Sequence, residues 1–217
     1  MNNLLVMKFG GTSMGSAERI RVAAAICADQ KVRRPVLAVV SAMSGVTDLL
    51  LGTLRHAEAD DEAGIESSIR SLSERHEKTC RELLSEPARS DRAMAGVRDL
   101  IADFHRIAHG MLMLGDRPPR SVDEAIAIGE RLSALMTAEY LEASGIPARA
   151  INASDVIVTD GVFGNATPIM EATRQKASAV IAPLLASGVL PIVTGFNGAT
   201  VDGRPTTLGR GGSDFSA

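Results

Sequence analysis

Leu4-Leu5-Val6-Met7-Lys8-Phe9-Gly10-Gly11-Thr12-Ser13-Met14-Gly15-Ser16-Ala17-Glu18-Arg19-Ile20 is the stretch whose reading decides the fold. The apolar run Leu4–Phe9, bounded by glycines, predicts a short buried strand. Ser16 then stands before Ala17-Glu18-Arg19, and Ile20, Ala23, Ala24 and Cys27 recur at helical spacing. Ser16 is the expected N-cap, with Glu18 well placed in the first turn. Strand, glycine turn and helix follow one another within twenty residues. A second valine-rich strand is expected at Pro35–Val40, and the small-residue loop Ser41–Thr47 leads into another helix. Strand–helix–strand order of this kind implies parallel pairing and an α/β domain.

The same turn admits two chemistries. Gly11-Thr12-Ser13-Met14-Gly15 spells G-x-S-x-G, the nucleophile elbow of serine hydrolases, in which an acid and then a histidine follow the serine. The histidines are His56, His76, His105 and His109, all within helical patterns and none near a later strand end. Nor is there a loop before the turn to build an oxyanion hole. The hydrolase constellation therefore fails.

Phosphate binding fits better. Helix N-termini present unpaired N–H groups and a positive dipole end. Glycines let an anion approach those groups closely. Gly10-Gly11 precede one helix, and Gly211-Gly212 precede the helix start expected at Ser213-Asp214. No G-x-x-x-x-G-K-[ST] is present, which excludes the P-loop class. Lys8 is one of only four lysines against nineteen arginines, and it closes an apolar strand directly before the glycines. A compact ammonium there suits neutralisation of a transferring phosphoryl group. Three Gly/Ser/Thr-rich loops, Gly10–Ser13, Ser41–Thr47 and Gly195–Asp214, follow predicted strands. In a parallel sheet they converge on the edge where open α/β folds bind ligands.

Between these loops the pattern turns helical. Ile65, Ile69, Leu72, His76, Cys80 and Leu83 follow spacings of three and four, as do Met94, Val97, Ile101, Phe104, Ala108 and Met111. They predict two long amphipathic helices joined near Glu86–Ser90, a hairpin over residues 61–114. A further helix is expected from Ser121 through Ala143, short strands at Ala148–Ile151 and Asp155–Val158, and a helix at Glu171–Ser187. Val189–Thr194 is read as the last buried strand, with Gly195-Phe196-Asn197-Gly198 as a turn.

Composition narrows the partners. The 217 residues are 45% apolar and 23% charged, with a net charge of −3, no tryptophan and few aromatics. Neither a basic surface nor stacking platforms for nucleic acid are present. No apolar stretch approaches a membrane span. Cys27 and Cys80 lie far apart in helical patterns and read as buried, reduced thiols. The expected setting is cytoplasmic, without nucleic acid or membrane partners.

The strings LLVMKFGGTSMGSAERI, VVSAMSGVTDLL, AIGERLSA and TGFNGATVDGRPTTLGRGGSD resemble the successive signatures of aspartokinases, in order and at compatible spacing across essentially the whole chain. Glutamate 5-kinase, acetylglutamate kinase and uridylate kinase share the lysine–glycine start but lack this combination. The resemblance implies an amino acid kinase fold: a three-layer αβα sandwich with a mainly parallel sheet and an inserted helical hairpin. Residues 1–217 would be its N-terminal, amino-acid-binding lobe. The implied activity is ATP-dependent phosphorylation of the side-chain carboxylate of L-aspartate to 4-phospho-L-aspartate, the entry step toward lysine, threonine and methionine.

Carried over by position, the resemblance makes Lys8 and Asp214 catalytic. Phe9, Gly10, Gly11, Ser13 and Ser41 would join Lys8 along the phosphate path. Thr47, Glu130, Phe196, Arg210, Gly212 and Ser213 would hold aspartate. Glu130, beside Ile126 and Ala134 at the flank of its helix, would face the substrate ammonium, and Arg210 would take the α-carboxylate in a fork suited to arginine. No metal-ligand set is legible, so Mg²⁺ is expected to arrive with ATP. A homo-oligomer is expected, as is the absence of the nucleotide lobe and ACT domains from these residues, leaving a lobe of little or no kinase activity by itself. The competing reading is a non-catalytic amino-acid-binding or assembly module.

Overall fold

Alternate residues of the central strands face different layers, and this divides the molecule. The computed structural model describes residues 3–209. Its elements are β1 (Leu5–Phe9), α1 (Ala17–Lys31), β2 (Val36–Val40), α2 (Val46–Glu58), α3 (Glu62–Leu83), α4 (Pro87–Leu114), α5 (Pro119–Ala143), β3 (Ala148–Ile151), β4 (Val158–Thr159), α6 (Met170–Ala186), β5 (Leu190–Thr194), β6 (Asn197–Thr200) and β7 (Pro205–Thr207), with one 3₁₀ turn at Ala153–Asp155. A parallel sheet runs in the order β1-β2-β5-β3. Val36, Ala38, Val40, Leu190 and Ile192 belong to a large core shared with helices α1 to α5. Leu37, Ile151 and Val193 face the other way, into a smaller cluster with Ile181 and Leu184 of α6. The period-2 alternation of a strand thus gives helix layer, sheet and helix layer.

Local chemistry sets the element ends. Ser16 has extended backbone and its Oγ accepts from the Arg19 N–H at 3.3 Å, so α1 starts where a capping serine permits. α4 and α5 carry proline in their first turn, where a missing N–H costs nothing. That places the start of α5 at Pro119, two residues before the expected Ser121. Helices α3 and α4 meet across Leu84–Glu86 and pack as a hairpin against α2 and α5.

Three expectations need correction. The β1 strand is half-buried rather than buried, because among the described residues it stands at the sheet edge. The Asp155–Val158 segment forms a strand only at Val158. Upstream, the Asn152 side chain accepts from the Ser154 N–H at 3.2 Å and winds Ala153–Asp155 into a 3₁₀ turn. Lastly, β5 is not the last strand. The chain turns only at Gly195-Phe196, and β6 then joins β4 in parallel and β7 in antiparallel to form a second, three-stranded sheet. Asn197, which is fully buried, anchors this layer: its Nδ2 donates to Asn152 Oδ1 (2.6 Å) and Ser154 Oγ (3.0 Å), while its Oδ1 accepts from Thr194 Oγ1 (2.6 Å).

Cys27 and Cys80 are free and buried, and burial pushes both thiols up to about 12. Among the described residues no helix is long and apolar enough to cross a membrane.

Candidate active site

The carboxyl ends of β1, β2 and β5 open into one hollow of about 640 Å³. Gly11 and Thr12 come from the loop after β1, Ser41 to Gly45 from the loop after β2, and Phe196 from the link after β5. Thr47 and Asp48 extend the wall along the first turn of α2. Asp123, Ile126 and Glu130 close it from α5. Gly45 caps α2 with φ of 77°, a left-handed conformation natural to glycine. A Cβ at Gly45 would meet no atom within 4 Å, and one at Gly10 only Lys8 Nζ, at 4.0 Å. Open backbone and a helix N-terminus make this part of the hollow suited to an anion such as phosphate.

Glu130 is the central charged group. It is only 3% exposed, not at a helix flank, because the β5–β6 link folds over it. Its Oε2 accepts from the Gly195 N–H at 2.6 Å and the Phe196 N–H at 2.8 Å. Burial pushes its carboxyl up to about 8, against the pull of those two N–H groups and of the Lys8 charge. Lys8 itself is exposed at the end of β1, on the face opposite Phe9. Glu130 on the α5 side and Lys8 at the glycine turn are near enough for the Lys8 charge to favour the ionised carboxylate, against its burial.

Asp123 is a buried carboxylate of this hollow that the sequence reading missed. It is buried, with Oδ2 accepting from the Gly164 and Thr207 N–H groups (2.8 and 3.0 Å) and Oδ1 from Thr207 Oγ1 (2.7 Å). Burial raises its carboxyl above the usual range, and the three hydrogen bonds oppose that rise. The available signal was spacing: Asp123, Ile126 and Glu130 fall at i, i+3 and i+7, on one face of one helix.

Of the residues expected here, the hollow gathers Gly11, Ser41, Thr47, Glu130 and Phe196. Lys8 and Gly10 stand beside one another at the end of β1. Phe9 and Ser13 instead line a smaller hollow of about 230 Å³ against Arg19, Val22, Ala23 and Ile26 of α1. The turn is tight: the Ser13 N–H donates to the Gly10 carbonyl at 2.8 Å, and Ser13 is directed to the α1 side. Arg210, Gly212, Ser213 and Asp214 lie outside the described residues.

The family model described as the amino acid kinase family matches residues 3–217. The chain belongs to the amino acid kinase family. An aspartokinase of Chlamydia trachomatis is 36% identical over 213 residues, which cover 98% of this chain and 44% of that protein. Two crystal structures of Escherichia coli aspartokinase III superpose closely. One holds lysine and aspartate in the T-state (TM-score 0.88, 28% identity, all of this chain and 46% of that one). The other holds aspartate and ADP in the R-state (TM-score 0.85, 29% identity, 99% and 45%). This amino acid kinase chain therefore spans less than half the length of these relatives. The layered parallel fold is common to this chain and the two solved structures.

Proposed function

We propose that this chain supplies the amino-acid-binding half of an aspartate kinase, which transfers the γ-phosphoryl group of ATP to the side-chain carboxylate of L-aspartate. The observation that carries the reading is Glu130, a carboxylate buried in a hollow whose other walls are glycine loops and a helix N-terminus. Such a site sorts a zwitterion: the ammonium of an amino acid meets Glu130, and its anionic groups meet N–H donors. The relatives' complexes with aspartate and with ADP support the choice of ligands.

In this reading Thr47 and Phe196 flank the bound aspartate, and Asp123 positions the Gly164 and Thr207 backbones at the rim. The reacting carboxylate oxygen bonds to the γ-phosphorus as the bridging bond to ADP breaks. Two anions must approach for this, so positioning and charge neutralisation dominate. The Lys8 ammonium and the N–H groups around Gly10, Gly11 and the start of α2 neutralise and orient the phosphates. Mg²⁺ carried in with ATP would neutralise phosphate charge; among the described residues, no three metal-ligating side chains of this hollow stand close enough together to share one ion. Arg210 and Ser213 serve substrate binding and Asp214 orients Lys8, as the aspartokinase resemblance implies. The enzyme works in biosynthesis of the aspartate-derived amino acids, in the cytoplasm and as a homo-oligomer.

Calorimetric titration separates the roles. L-aspartate binds the chain, and Glu130→Gln weakens it by about tenfold or more, the worth of a charged hydrogen bond. Lys8→Ala leaves aspartate affinity nearly unchanged and weakens Mg-ATP. If aspartate fails to bind at millimolar concentration, or binds Glu130→Gln equally well, the assignment is wrong.

A further inference from the structure

We propose that Glu66, His105 and His109 form a binding site for a divalent first-row cation of the Zn²⁺ type, which clips α3 to α4 on the side of the helical hairpin. Glu66 lies one turn into α3, and the two histidines are four residues apart on α4. That spacing puts both imidazoles on one helix face, one above the other. Their rings stand 4.3 Å apart between centroids, and both turn toward the neighbouring helix. Nε2 of His105 lies 2.8 Å from Glu66 Oε1, and Nε2 of His109 lies 3.1 Å from the same oxygen. One ligand atom from each residue lies within 4.8 Å of the other two.

These spacings match what a small cation requires. Metal–nitrogen and metal–oxygen bonds near 2.1 Å in tetrahedral geometry put donor atoms about 3.4 Å apart. The two Glu66–imidazole separations need to open by only about half an ångström, within the reach of side chains that are exposed or half-buried. Two imidazoles and one carboxylate are a donor set that zinc favours, and softer or harder cations match it less well. Three protein donors leave the remaining position to water. The site is distinct from the active-site hollow, since none of its three residues lines that hollow.

Without metal, each imidazole donates its Nε2–H to Glu66. Coordination requires the lone pair at Nε2, so the proton moves to Nδ1 of the same neutral ring. No net proton is released, and the carboxylate exchanges two hydrogen bonds for one metal bond. The cation then links residues 66 and 105–109 of two long antiparallel helices and stabilises their packing by binding only the folded hairpin.

The test is titration of the metal-free, tag-free 217-residue chain with Zn²⁺ at pH 8, followed by calorimetry and by long-range nitrogen–proton spectra of the imidazoles. One equivalent binds in the micromolar range, the unfolding midpoint rises with added Zn²⁺, and two histidines switch to the Nδ1–H tautomer. His105→Gln and His109→Gln each weaken binding by more than about tenfold. Glu66→Gln weakens it while retaining the shape of the side chain, and His56→Gln leaves it unchanged. Absence of saturable binding would overturn the proposal, as would binding that survives the His105→Gln, His109→Gln double substitution. A fold check by circular dichroism accompanies each variant, and the imidazole spectra of the unsubstituted chain stand without any substitution.

Discussion

Glu130 and His76 sit in the same protein with opposite pH accounts. Burial raises the Glu130 carboxyl to about 8, whereas an unfolded glutamate ionises near its model value of 4.5. Between those pH values the folded state holds a proton that the unfolded state has lost, so stability falls as pH rises through the window, by roughly 1 kcal/mol per pH unit. His76 is fully buried in α3, its Nδ1–H donating to the Leu72 carbonyl at 2.7 Å. Burial lowers it to about 4 from 6.5, so its stabilising contribution is complete above 6.5 and is lost as pH falls toward 4. Urea unfolding from pH 4 to 9 separates the two: Glu130→Gln flattens the decline above pH 5, and His76→Gln flattens the loss below pH 6.5. On the proposed function, aspartate affinity is expected to rise with pH through about 8 in calorimetric titration, since an ammonium needs the ionised Glu130 carboxylate. At this scale the place of Lys8, at the end of β1 beside the glycine turn, was legible because a rare residue type closed an apolar run. Asp123 was not: an acid near a helix start reads as dipole compensation in solvent. Its burial depends on Gly164 and Thr207, 41 and 84 residues away.

The α5 helix shows how an element carries a site. Its buried face holds Asp123 and Glu130, and Gly129 between them allows α2 to come close. A Cβ at Gly129 would meet Ala42 Cβ at 3.1 Å and both Leu50 Cδ1 and Val46 Cγ1 at 3.2 Å. These are side-chain atoms of the packed layer, so a larger residue must push α2 and α5 apart. Gly129→Val is expected to cost about 1–3 kcal/mol of stability. It also displaces Glu130 from the Gly195 and Phe196 N–H groups; thermal unfolding and aspartate titration together read both effects. Long helices were legible because their apolar period repeats several times, and the five-residue strands because they are predominantly apolar runs. The second sheet was not, because β4 has two residues and β7 three, too few to show any period. Its partners are set by the Asn197 network and by the Asp123 carboxylate, neither of which is local in sequence.

Across the whole molecule, the alternation of strand residues explains the layers, and the strand–helix order explains parallel pairing. The order β1-β2-β5-β3 has a different origin. β5 inserts between β2 and β3 although about forty residues separate it from β3, and the driving term is a strand buried along its whole length. The convergence of glycine loops on one edge follows from this arrangement and not from any loop alone. Asp123 gives the same geometry a temporal consequence. One carboxylate ties the start of α5 to Gly164 and to β7, so its bonds close only after the intervening chain has reached its place. Such contacts belong late on the folding route, where removing them leaves the barrier to folding almost unchanged. Stopped-flow measurements of Asp123→Asn are expected to show faster unfolding with a nearly unaltered refolding rate, making this side chain a latch that governs how long the native state lasts.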